Sequence, residues 1–222
     1  MRLLLVSDLH YSLPLFDWVA GVAANFDVVV MAGDHLDLAS LVDGRAQATV
    51  VRKYFDRIRA KTRLLICSGN HDLDSKNEAG EWTARWLLGR RNDGVLSDGE
   101  STKIGDILFT ACPWWDGPIS QAAIGRQLAK AAKDRQGRWI WIYHAPPSKS
   151  PIAWSGQRYF GDDALLGWID EHKPDIVMCG HVHEAPYVTD GSWVDRIGTT
   201  WVFNTGHYLG APPAHIILDL SL

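Results

Sequence analysis

The stretch IVMCGHVHEAP, residues 176–186, sets an uncharged run against two histidines two positions apart. Ile176 to Cys179 read as a buried strand. On extended backbone, residues i and i+2 project to one side, so His181 and His183 share a direction. Such a pair can share one ligand, hold two neighbouring ligands, or serve structure alone. Four other apolar runs end in a similar way. LLLVSDLH ends in Asp8 and His10, VVVMAGDHLD in Asp34, His35 and Asp37, LLICSGNHD in Asn70, His71 and Asp72, and WIWIYHAPP in His144. Taken singly, each is an ordinary strand end or turn, since Gly33 and the Gly69-Asn70 pair tolerate turn backbone. Five such endings in series are a different matter. In open α/β sheets, ligands sit outside the carboxyl ends of the strands. Strands running side by side would gather these groups, six of the nine histidines among them, at one crevice.

Carboxylates held that close repel one another and must take up protons unless a cation neutralises them. Asp oxygens, His nitrogens and an Asn carbonyl form a donor set without thiolate. That set suits Mn, Fe or Zn better than Ca, which prefers oxygen alone. A pair of divalent or transition metal ions needs about seven or eight donors, and the five endings supply that number.

The intervening segments alternate strand and helix. The 3.6-residue spacing of Val50, Val51, Phe55 and Ile58 marks a helix over 46–61. Helices are also expected over 13–26, with Pro14 in the first turn, and over 78–91, 119–135 and 162–172. Residues 94–115 read as a β-meander with glycine at its turns, and the tail as three short strands. Helix-covered strands followed by pure strand pairs predict a layered α/β sandwich of two sheets, folded as one domain over residues 1–222.

Composition narrows the function. A net charge of −4 gives no basic footprint for long nucleic acid. Cys67, Cys112 and Cys179 are odd in number and widely spaced, which predicts free thiols in a reducing compartment. The first apolar run is too short for a signal segment or a membrane span, so a cytoplasmic protein is expected.

The series DLH, GDHLD, GNHD, His144 and GHVH resembles the calcineurin-like metallophosphoesterase superfamily from Asp8 to His183. The resemblance implies a four-layer αββα sandwich of two mixed sheets flanked by helices, with a dinuclear metal site between the sheet ends. It assigns Asp8, His10 and His183 to one metal and Asn70, His144 and His181 to the other, with Asp34 bridging. His181 and His183 would thus serve neighbouring metals. His71 would face the substrate as general acid, oriented by Asp72, and a metal-bridging hydroxide would be the nucleophile. Asp37 fits the second acidic position of the motif, next to the ligands. His35 has no role in this pattern and is expected to be solvated or just behind the ligands. The implied activity is hydrolysis of a small phosphate ester, with a phosphodiester preferred. The alternatives are a phosphomonoesterase or phosphoprotein phosphatase, and a catalytically silent binding scaffold.

Substrate contacts are sparser in the sequence. Trp114 and Trp115 point opposite ways if extended, so at most one faces the cleft, and Trp115 is expected to pack under the sheet. The long loop after His144 carries Arg158, a candidate phosphate contact, and His207 follows the strand TTWVFNTG near the expected site.

Overall fold

The computed structural model describes residues 1–88 and 90–220, with Arg91 and Asn92 as backbone only. Thirteen strands are present among the described residues: β1 Arg2–Val6, β2 Val28–Ala32, β3 Arg63–Cys67, β4 Ser75–Lys76, β5 Trp82–Thr83, β6 Val95–Leu96, β7 Glu100–Ile104, β8 Ile107–Ala111, β9 Trp139–Ile142, β10 Ile176–Cys179, β11 Val194–Ile197, β12 Thr200–Asn204 and β13 His215–Asp219. Four α-helices accompany them: α1 Leu13–Val22, α2 Gly44–Arg59, α3 Pro118–Asp134 and α4 Asp163–His172.

One sheet has the order β13-β1-β2-β3-β6 and the other β11-β12-β10-β9-β8-β7. Strands β1, β2, β3 and β6 run parallel, as do β8, β9, β10 and β12, while β13, β11 and β7 are antiparallel edges. Alternation along each strand builds the layers. In β1, Leu4 and Val6 pack with Phe16, Val19, Val51 and Phe55 of α1 and α2. Leu3 and Leu5 face the other way, against Phe109, Ile140, Ile142 and Met178 of the opposite sheet. On the far side of that sheet, Trp139, Trp141 and Val177 pack with Ile124, Leu128, Leu165 and Ile169 of α3 and α4. The result is a four-layer αββα sandwich.

Three local expectations are corrected. Helix 13–26 is α1 followed by a separate 3-10 turn, Ala23–Asn25. Over 78–91 the chain forms no α-helix among the described residues; Gly89 lies outside them. It makes the β4-β5 hairpin and 3-10 turns at Arg85–Leu87 and from Arg90 onward. The reason is that Gly80 sits at φ +81°, Asn77 Oδ1 accepts the Ala79 and Glu81 amides, and the Glu81 carboxylate caps α3 by accepting the Ile119 and Ser120 amides. The expected meander is split between sheets, since β6 pairs with β3 while β7 and β8 form a hairpin in the second sheet.

Candidate metal centre

Because β1, β2 and β3 are parallel, as are β9 and β10, their polar endings leave each sheet at one edge. Backbone bonds lock neighbouring endings: Asp8 N–H donates to Gly33 O at 3.1 Å and Gly180 N–H to His144 O at 2.8 Å. Across the sheets, His181 N–H donates to both Asp8 carboxylate oxygens at 3.1 Å. The chain turns sharply there. Asp8, His10, Asp34 and His181 all have φ between 42° and 72°, a region non-glycine residues seldom enter. Gly33 lets the His144 ring approach the backbone, and a Cβ on Gly180 would collide with Asp8 and Ser7.

Three groups of donor atoms result, each with atoms within 4.8 Å of one another: Asp8, His10 and His183; Asp34, His144 and His181; and His10, Asp34 and His71. His183 Nε2 lies 3.2 Å from Asp8 Oδ1, and His144 Nε2 lies 3.3 Å from Asp34 Oδ2. His10 Nε2 is 3.0 Å from His183 Nε2 and 3.9 Å from carboxylate oxygens of both Asp8 and Asp34.

The donors fit a cation. His144 Nδ1 donates to Ala32 O at 2.7 Å, which turns Nε2 inward, and that Nε2 is buried with no hydrogen-bond partner. Asn70 Oδ1 is likewise buried and unpartnered. Leaving buried polar atoms unmatched is costly, and a cation would satisfy both. Electrostatics agree. Burial pushes the His181 pKa down to about 4, aided by His144, so its imidazole is a neutral donor at pH 7. Burial opposes charge on His144, yet Asp34 and Asp8 hold its pKa up at about 10. A proton on Nε2 there neutralises the carboxylates, the task a metal would take over.

His71 stands at the edge of the cluster. Its backbone N–H donates to Asp34 Oδ1 at 2.9 Å, and its Nδ1 accepts from Leu38 N–H at 3.3 Å. Nε2 therefore carries the proton in the neutral ring. Asp72 does not orient this imidazole, contrary to expectation. It is fully buried, and its carboxylate accepts backbone amides of His35, Leu36 and Gly69 at 2.9–3.0 Å. Burial, with the Asp34 charge, pushes its pKa up to about 7.

Of the two expectations for His35, burial excludes the solvated one. It is wholly buried rather than solvated, donates from Nε2 to Cys67 O at 3.0 Å, and packs edge-on to Phe55. Asp37 lies on a loop, where its Oδ1 accepts the Ala39 amide, and it joins none of the three donor groups. Arg158 is exposed and stacks over Phe160 at 4.2 Å. Trp114 reaches the cluster, with ring centroids 5.3 Å from His181 and 5.8 Å from His144. Trp115 anchors its indole N–H on Tyr143 and Asp162 at 2.9 Å and also lines the pocket beside Trp114. His207 joins the rim, donating from Nδ1 to Asp8 O at 2.7 Å with its ring 4.8 Å from His183. Ser7 and Thr205 were missed: Ser7 Oγ donates to Asp8 and lies 2.5 Å from Thr205 Oγ1. A hydroxyl beside a motif aspartate was the only sequence signal for that pair.

The family profile described as calcineurin-like phosphoesterase matches residues 1–185. The chain belongs to this family. Comparison by sequence with curated proteins gives no match. Solved structures share the fold of this chain at low identity. TT1561 of Thermus thermophilus is 14% identical, with 92% of this chain and 88% of that one covered and a TM-score of 0.64. Purple acid phosphatase PPD1 from yellow lupin seeds is 17% identical over 96% of this chain and 44% of its own, at 0.55. GAP50 of Plasmodium is 12% identical over 93% and 71%, at 0.57. Among the described residues, no helix is long and apolar enough to cross a membrane.

Proposed function

We propose that this chain is a dinuclear metal-dependent phosphodiesterase acting on a small phosphorylated substrate. The observation that carries the reading is the meeting of five strand endings, with Asn70 Oδ1 buried and unmatched and His144 Nε2 turned onto the Asp34 carboxylate at 3.3 Å. Asp8, His10 and His183 would hold one Mn, Fe or Zn ion. Asn70, His144 and His181 would hold the other, with Asp34 between them. When bound, such a pair supplies positive charge at phosphorus and acidifies water. The protein supplies the rest. The Ala32 carbonyl fixes the tautomer of His144, and Asp72 holds the backbone of both the Asp34 and the Asn70 endings. His71 presents Nε2–H as the proton donor to the leaving oxygen.

Diester preference is supported by space on two sides. One pocket includes His71 in its wall and another includes His181 and Trp114. A diester has two organic substituents to place and a monoester one. Free, buried cysteines fit the reducing cytoplasm.

The test compares bis(p-nitrophenyl) phosphate with p-nitrophenyl phosphate in Mn²⁺. A higher kcat/KM for the diester is expected; the reverse order would make the protein a monoesterase. His71→Ala is expected to keep its metals and lose about 10²–10⁴ in kcat on an alkyl diester.

A further inference from the structure

A groove of about 860 Å³ opens on the His71 side of the cluster. Leu36, Leu38, Leu41, Val42, Leu73 and Trp86 give it apolar walls. Three of these are strongly exposed for their type: Leu38 at 67%, Leu41 at 105% and Val42 at 41%. Apolar side chains gathered in the open usually mark a binding surface. The segment bearing them is tied down rather than loose. Buried Gln47 accepts the Asp37 amide at 2.8 Å and donates to Asp37 O at 3.0 Å and Val42 O at 2.8 Å. The same segment contacts the catalytic imidazole, since Leu38 supplies the amide that sets the His71 tautomer.

We propose that this groove is the leaving-group subsite and that it takes an alcohol or phenol with an apolar body. The inference rests on His71 as the proton donor of the reaction proposed above. Hydrolysis breaks the P–O bond to the leaving oxygen, which keeps the electron pair and takes the His71 Nε2 proton. Water supplies the new hydroxyl on phosphorus, and its other proton restores His71. The leaving group therefore lies on the His71 side, and the chemistry of that wall selects it. The charged lining residues are mixed in sign, Asp37, Asp43 and Asp74 against Arg45 and Arg52, so a second anionic group finds no net attraction. The apolar surface is what remains to discriminate.

The probes are methyl 4-methylphenyl phosphate and methyl 4-butylphenyl phosphate, whose phenols have matched acidity and differ by three methylenes. With Mn²⁺ the butyl ester is expected to show roughly tenfold higher kcat/KM, corresponding to partial burial of those methylenes. In the Leu38→Ser, Leu41→Ser double variant, which keeps the Leu38 amide, the ratio is expected to fall toward one. Titration with the two free phenols, followed by amide chemical shifts, repeats the comparison without turnover. Equal affinity for both phenols in the native protein overturns the subsite, as do equal kcat/KM values for the two esters. Discrimination between phenols with no hydrolysis of either ester keeps the apolar binding groove but removes the phosphodiesterase reading, and the leaving-group role with it.

Discussion

At the residue scale, two atoms carry the argument: Asn70 Oδ1, buried without a hydrogen-bond partner, and His144 Nε2, buried with the Asp34 carboxylate 3.3 Å away. The first is cheap to keep only if something positive sits against it, and the second only while a proton, or a cation in its place, answers the carboxylates. Asn70→Leu removes one such donor while leaving the carboxylates in place. The expected outcome is a fall in bound manganese from two per chain toward one, with the weaker site losing at least tenfold in affinity. Elemental analysis after dialysis and a calorimetric titration check both. Asp72 belongs to the same scale with a different task. Its three amide bonds hold the Asp34 and Asn70 endings together. Asp72→Ala should therefore cost about 3 kcal/mol or more in stability, read by urea unfolding, because three buried donors lose their acceptor.

At the scale of elements, the strand ends matter through their backbone. Gly33 has φ +86°, and a Cβ there would run into the His144 ring. Gly33→Ala is expected to displace that imidazole and to lower metal affinity and Tm together, whereas Gly21→Ala, with open space around it, should do neither. The segment from Asp37 to Val42 depends on one side chain. Gln47→Ala removes three hydrogen bonds that close it. KM for the diester should rise several-fold more than kcat falls, since the donors themselves do not rest on Gln47.

Over the whole molecule, the sandwich and the cluster were legible because both are written in short-range patterns. Apolar runs of four or five residues mark β1, β2 and β3, and a donor follows each within five positions. The misread segments depend on partners far away. Glu81 looks helical beside Trp82 and Trp86 until it is seen to cap α3, almost forty residues on. Asp72 looks like a partner for its neighbour His71, yet its bonds go to backbone thirty-six and thirty-seven positions away. The exposed apolar residues of the groove, Leu38, Leu41 and Val42, gave no periodic signal because they lie on a loop. A buried charge outside the centre also bears on the whole fold. Asp98 is 4% exposed, accepts the Ser68 amide at 2.8 Å, and is pushed by burial, with Asp72 and Glu100 nearby, up to about 7 from 3.8. Between these values the folded chain binds a proton that the unfolded chain has released, so this group's contribution to stability declines as pH rises from about 4 to about 7. Asp98→Asn is expected to flatten the Tm-against-pH curve in that window and to raise Tm at pH 8. An unchanged slope would remove Asp98 from the account.

The span of the cluster also bears on how the protein matures. Asp8 is bonded to the amide of His181 and to the ring of His207, so the earliest and latest parts of the centre lie almost two hundred residues apart. A growing chain on the ribosome carries Asp8 and His10 long before their partners have been synthesised. On the proposed metal reading, cation capture would wait until the second sheet has docked, and loading would act as a checkpoint for completed assembly. Stalled fragments ending before residue 181 should emerge unable to retain manganese through gel filtration.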